Sequence, residues 1–185
     1  MKFIHLTLLF LVFLLLRYDC VFGQSYMSEE GYVEFISRAP LLEFKGKSDH
    51  LTGLIDLDQN LIDFYVDLNT IDTGIQRRNR DMRSTYLKTD TFPFAEFSGK
   101  LLTEFDPESE GEQQVKTRGI FTIHGVEREI DVEGTLEPRN GGLKLNASWT
   151  ILLDDYNIER PRVLFYELAD EQVVNISVLL SPRIN

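Results

Sequence analysis

Apolar and polar residues alternate with a period of two along most of this chain. In Gly31-Tyr32-Val33-Glu34-Phe35-Ile36-Ser37, Val33 and Phe35 share a face with Ser37 while Glu34 points the other way. In the run from Leu61 to Leu68, Ile62, Phe64, Val66 and Leu68 alternate with Asp63 and Asp67. Similar runs occupy Phe94 to Phe105, Gln113 to Ile123, Glu127 to Leu136, Leu143 to Leu153 and Gln172 to Leu180. Between them lie Asp58-Gln59-Asn60, Asp106 to Gly111, His124-Gly125 and Pro138 to Gly142, all rich in turn-forming residues. About eight strands with short connections predict an all-β domain, an antiparallel sheet closed into a barrel so that no edge is left exposed.

The one long interruption, Asp72 to Phe92, changes period. Ile75, Asn79, Met82 and Tyr86 recur at helical spacing, and Thr73 is a suitable N-cap, so a short helix over about 75–87 is expected to cap or flank the barrel mouth. An eight-stranded barrel is just wide enough to be filled by its own side chains or to hold one small ligand. The helix carries Arg77, Arg78, Arg80 and Arg83, the densest positive cluster of the chain.

Composition narrows the picture. The 185 residues carry a formal net charge of −11, which argues against nucleic acid as a partner, since that partner requires a basic footprint. Residues 1–23 hold Lys2 and then an apolar run, Phe3 to Leu16, before Gly23. At about 14 residues the run is too short to span a bilayer, and it reads as a signal peptide cleaved near Gly23/Gln24. Export to the periplasm or cell exterior is therefore expected, with no transmembrane span in the mature form. Cleavage deletes Lys2, Arg17, Asp19 and Cys20, taking the charge to −12 and leaving no cysteine. Residues 25–185 are then one domain stabilised by its core alone.

Catalytic and metal chemistry find little support. His50 and His124, without cysteine, give no metal-site spacing, and no cofactor is implied. His124 reads as part of a hairpin turn. Ser48-Asp49-His50 has the residue types of a hydrolase triad, but neighbours on a strand face opposite ways, so the run reads as a strand end. Asp56 to Asn60 imitates the start of a calcium loop yet has Leu61 where glycine is needed, and reads as a hairpin connection. Asp154-Asp155 reads as a solvated turn.

Several blocks in order carry a resemblance. Val66 to Gly74, Arg78-Asn79-Arg80-Asp81-Met82-Arg83-Ser84, Tyr86-Leu87 and Phe92 to Phe97, then Gly119 to Val126 and Asp155-Tyr156-Asn157-Ile158, resemble the signatures of the YceI-like family over roughly residues 30 to 181. The resemblance implies an exported, lipocalin-like eight-stranded antiparallel barrel holding an isoprenoid-type lipid, a polyprenyl chain or an isoprenoid quinone, in a long apolar cavity. Such a protein binds its ligand for carriage or sequestration and is not an enzyme. Asn79 departs from the pattern, standing where the family often has an acid.

The expected cavity wall comprises Val33, Phe35, Phe44, Phe64, Val66, Met82, Tyr86, Phe97, Phe121, Trp149 and Ile151. Arg78 and Arg83 are expected at the ligand headgroup. The expected partner is the lipid or quinone itself, and a homodimer is left open. The alternative from another class is an interaction module whose barrel is filled by its own aromatic side chains.

Overall fold

In the computed structural model, residues 24–39, 42–163, 166–167 and 170–183 are described. The expected signal peptide, residues 1–23, lies outside the described residues. Eight long strands close a barrel: β1 (Ser25–Ala39), β2 (Leu42–Asp56), β3 (Leu61–Asp67), β4 (Phe94–Leu101), β5 (Gln113–Ile123), β6 (Val126–Arg139), β7 (Gly142–Leu152) and β10 (Glu171–Pro182). Every neighbour is antiparallel, in the order β1-β10-β7-β6-β5-β4-β3-β2, and the β1–β10 ladder closes the ring. A two-residue pair, β8 (Arg162–Val163) with β9 (Tyr166–Glu167), lies outside the barrel sheet. The expected fold class is observed.

The strand left out of the sequence reading is β2. Its inward positions are Phe44, Gly46 and Ser48, then Leu51, Gly53 and Ile55. The ladder with β1 slips twice: Gly31 pairs with Leu51 but Val33 pairs with Ser48, so β2 carries an extra residue there, and a second slip lies between Ser28 and Gly31. Bulges of this kind re-aim the side chains that follow and break the period. Ser48-Asp49-His50 therefore lies in mid-strand at a bulge rather than at a strand end. Gly46 and Gly53 are required by packing: a Cβ would fall 2.2 Å from Phe35 Cε1 at the first and 1.9 Å from Phe64 Cε1 at the second.

The two ends of the barrel differ. Ile55, Leu136, Leu143, Val178 and Leu180 are all below 2% exposed and pack together where β2, β6 and β10 end and β7 begins, closing that end. Burial of aliphatic side chains of this size contributes about 1.5–3 kcal/mol each. At the other end the ring loosens at two seams. The β2–β3 ladder stops at Thr52–Tyr65, and beyond it Lys47 of β2 pairs instead with Asp72 through N–H···O bonds of 3.0 and 2.8 Å. The β6–β7 ladder stops at Gly134–Ala147. Near that second seam lies the turn Leu153–Ile158: Arg128 Nε donates to the Asp155 carbonyl at 3.0 Å, and His124 Nδ1 lies 3.1 Å from the Tyr156 carbonyl.

The connection from β3 to β4 crosses this looser end. It begins with a turn, Leu68–Thr70, continues as one short helix, α1 (Gln76–Asp81), and widens into π-type turns over Met82–Leu87, ended by Lys88 at φ 50°. A helical segment over 75–87 is thus present, with two differences from expectation. Ile75, not Thr73, occupies the cap position, and it makes no side-chain cap bond. Ile75 is also 49% exposed, whereas Met82 and Leu87 are buried, because the helix is short and its winding changes at Met82.

Candidate functional site

Between the packed end and the lid, the barrel encloses a cavity of about 400 Å³. That volume falls in the range of small-molecule sites. Val115, Val132 and Leu145 lie on its walls toward the packed end. All eleven residues expected from the sequence line it: Val33 and Phe35 from β1, Phe44 from β2, Phe64 and Val66 from β3, Phe97 from β4, Phe121 from β5, Trp149 and Ile151 from β7, and Met82 and Tyr86 from the lid. Alternation places the strand residues there, since each strand shows one face to the interior.

The aromatic rings pack edge to face. Phe121 meets Trp149 at 5.9 Å and Tyr156 at 5.6 Å between centroids, while Phe35 meets Phe44 at 6.0 Å. These contacts hold rings against the wall rather than across the space they surround. Gly46 and Gly53 serve the same end, since the rings of Phe35 and Phe64 lie where a side chain on β2 would stand.

Polar groups are few. On the lid side the lining includes Arg77, Arg78 and Asp81, with Glu96 from β4. The Arg78 guanidinium lies 4.2 Å from the Phe44 ring centroid, a cation–π contact at the cavity mouth. Arg77 is paired with Asp81 at 3.7 Å across one turn of α1. Arg83, expected beside Arg78, is placed differently: its Nη2 donates to the Ile71 carbonyl at 2.9 Å, and it is not among the cavity-lining residues. The second basic group at the mouth is Arg77. The change of winding after Asp81 turns Arg83 toward the segment that pairs with β2.

Asn79, the departure from the family pattern, fastens the lid. Its Oδ1 accepts the Thr73 backbone N–H at 2.9 Å and the Thr73 hydroxyl at 2.6 Å, and its Nδ2 donates to Asp72 Oδ1 at 2.7 Å. The Asn79 amide and the Gly74 N–H together hold the Asp72 carboxyl below its ordinary range.

Ser37, Thr117 and Gln172 are buried polar residues on the cavity wall. The Thr117 hydroxyl donates to the Val132 carbonyl at 3.1 Å. Ser37 Oγ and Trp149 Nε1 have no hydrogen-bond partner. Ser37 was legible as sharing the face of Val33 and Phe35; Gln172 shares the parity of Val174 in the same way, but a lone glutamine in an apolar run gives no signal of its own.

The groups considered for catalysis are engaged elsewhere. Asp154 is ion-paired with Arg160, and its carboxyl is lowered by that bond; Asp155 pairs with Arg128 at 3.3 Å. His124 sits in a two-residue turn at φ 55° followed by Gly125 at φ 73°, with its ring edge-on to Phe92. A carbonyl only accepts, so Nδ1 carries the proton that bonds Tyr156. Ser48 Oγ is 2.6 Å from Thr70 Oγ1, while Asp49 and His50 are exposed.

Comparison with known proteins agrees with this architecture. The family model described as the YceI-like domain matches residues 28–180. No curated protein is significantly similar in sequence. Among solved structures, a polyisoprenoid binding domain from Saccharophagus degradans implicated in plant cell wall breakdown superposes with a TM-score of 0.74 at 18% identity, covering 87% of this chain and 99% of its own. Burkholderia cenocepacia BcnA superposes with a TM-score of 0.68 at 16% identity, covering 82% and 96% respectively. A Campylobacter jejuni YceI protein gives 0.57 at 16% identity, with 76% and 85% covered.

Proposed function

We propose that this chain, which belongs to the YceI-like family, is an exported, non-enzymatic binding protein that holds an isoprenoid-type lipid in its barrel for carriage or sequestration. The observation that carries this reading is the apolar cavity of about 400 Å³, packed shut at one end and bordered by charged groups only on the lid side. A branched hydrocarbon tail suits such a space, because each CH₂-sized group leaving water contributes about 0.8 kcal/mol without directional bonding. Met82 and Tyr86 would close over the tail, and Arg78 would stand beside the headgroup of a polyprenyl lipid or an isoprenoid quinone.

Further support comes from the S. degradans relative, described as a polyisoprenoid binding domain. The ion pairs of Asp154 and Asp155, and the turn position of His124, favour binding over catalysis. The self-filled interaction module is disfavoured by the cavity, which the chain's aromatic residues border without filling. Export rests on the leader read in residues 1–23. Among the described residues no helix is long and apolar enough to cross a membrane. The test is organic extraction of the purified protein followed by mass spectrometry. An isoprenoid lipid in stoichiometric amount is expected, and its absence after expression in a bacterial host would overturn the reading.

A further inference from the structure

Resting on the reading of the cavity as a lipid site, we infer that Ser37 and Trp149 form a hydrogen-bonding subsite in its wall. The subsite takes an uncharged acceptor oxygen of the ligand, a carbonyl, ether or hydroxyl, in preference to a phosphate.

Four buried side-chain polar atoms among the described residues lack a partner: Ser37 Oγ, Trp149 Nε1, Arg83 Nε and His124 Nε2. Only the first two belong to residues that line the cavity. Ser37 is 1% exposed, and a hydroxyl so placed is normally bonded, since a buried polar group without a partner is unfavourable. The register brings the two together. Ser37 pairs with Gln172 on β10, Gln172 pairs with Ile151 on β7, and Trp149 is the next inward residue along β7. They stand two strands apart, about 10 Å, and one inward step apart, about 7 Å, on the same stretch of the inner wall.

Chemistry sets the ligand class. An indole N–H only donates and a serine hydroxyl can donate, so the complementary group is an acceptor. Bare hydrocarbon at this depth would leave both donors unmet. A phosphate would need unbalanced cations, and the ones nearest this wall are Arg77 and Arg78 under the lid. Under the lid, Arg77 and Arg78 are balanced by Asp81 and Glu96, and Arg77 is already paired. Ser37 is also the cross-strand partner of Phe44, whose ring Arg78 covers, so the subsite lies just inside the mouth.

Three probes with one common tail test this by calorimetry: farnesene, farnesol and farnesyl diphosphate, titrated into the wild-type protein, Ser37→Ala and Trp149→Phe. Each substitution is expected to weaken farnesol by roughly two- to tenfold, the worth of one hydrogen bond. Farnesene affinity is expected to stay within about twofold, and the wild type to bind farnesol more tightly than the diphosphate. Equal farnesol and farnesene responses to both substitutions, or tightest binding of the diphosphate, would overturn the subsite while leaving the cavity a lipid site. Absence of saturable binding for all three probes would overturn both. The wild-type ranking needs no variant, so a poorly folding substitution does not remove the test.

Discussion

Asn79 and Thr73 are joined twice, the asparagine Oδ1 accepting both the backbone N–H and the hydroxyl of the threonine, at 2.9 and 2.6 Å. The same amide turns its Nδ2 to Asp72, whose backbone pairs with Lys47 of β2. One side chain thus ties the first turn of α1 to the segment that seals the β2–β3 seam. Asn79→Asp keeps the acceptor for Thr73 but replaces the donor facing Asp72 by a second carboxylate. Faster hydrogen exchange of the amides in 72–82 is the expected outcome, with little change for β5 and β6, because a local opening costs less than global unfolding. Unchanged exchange in 72–82 would remove Asn79 from this role.

Acid should loosen the same fastening. The Asp72 carboxyl is held below its ordinary range in the folded protein by Asn79 and by the Gly74 N–H. A depressed folded value means that the stabilisation is complete above the unfolded value, near 3.9, and is lost as pH falls through the folded one. Lid amides are therefore expected to keep constant protection, after correction for intrinsic exchange, from neutral pH to about pH 4, and to lose it below. Asp72→Asn should abolish that dependence. An Asp72→Asn protein with the wild-type acid response would locate the titrating group elsewhere.

Glycine on β2 is needed for the rings that shape the cavity. In Gly53→Ala the new Cβ would lie 1.9 Å from Phe64 Cε1, so a ring only 5% exposed must move. Overpacking of this kind costs about 1–3 kcal/mol. For a domain of this size that lowers the melting temperature by roughly 2–12 °C. Phe64→Leu in the same chain should recover part of the loss, since the two effects couple through one contact. Additive losses in the double variant would show that Phe64 is not what the methyl meets.

How much of this was legible depends on whether one periodicity ran unbroken. β5 was read with its observed bounds, Gln113–Ile123, because Val115, Thr117, Phe121 and Ile123 face inward without interruption. The wall residues on β1, β3, β4, β5 and β7 followed from the same parity, and all eleven named residues line the cavity. β2 was not legible: two of its inward positions are glycine, one is serine, and a bulge changes the inward parity from even to odd numbers between Ser48 and Leu51. The lid failed in a similar way. Helical spacing grouped Ile75 with Met82, but the π-type winding from Met82 onward carries a different residue count per turn, which separates Arg83 from Arg78. Asn79 could be flagged from sequence only as a departure; its bonds to Thr73 and Asp72 bridge six and seven residues through a turn that no periodic pattern describes.

Trp149 is the only tryptophan of the chain and lines the cavity, so it reports directly on occupancy. Titration with farnesol should change its emission saturably, and at a ligand concentration about a hundredfold above Kd the folded state gains about 2.7 kcal/mol. The corresponding rise in melting temperature is roughly 5–11 °C. Val174→Phe tests whether the cavity is the cause. Val174 lines it from β10 and is flanked by Trp149 and Phe35, so the larger ring enters the open space without adding a polar group. Filling a void gains dispersion contacts, whereas a ligand then competes with protein for the same volume. The variant is expected to melt no more than a few degrees from the wild type and to lose both the fluorescence change and the thermal shift. Retention of the full thermal shift in Val174→Phe would place the bound lipid outside the barrel, on the lid or the outer sheet.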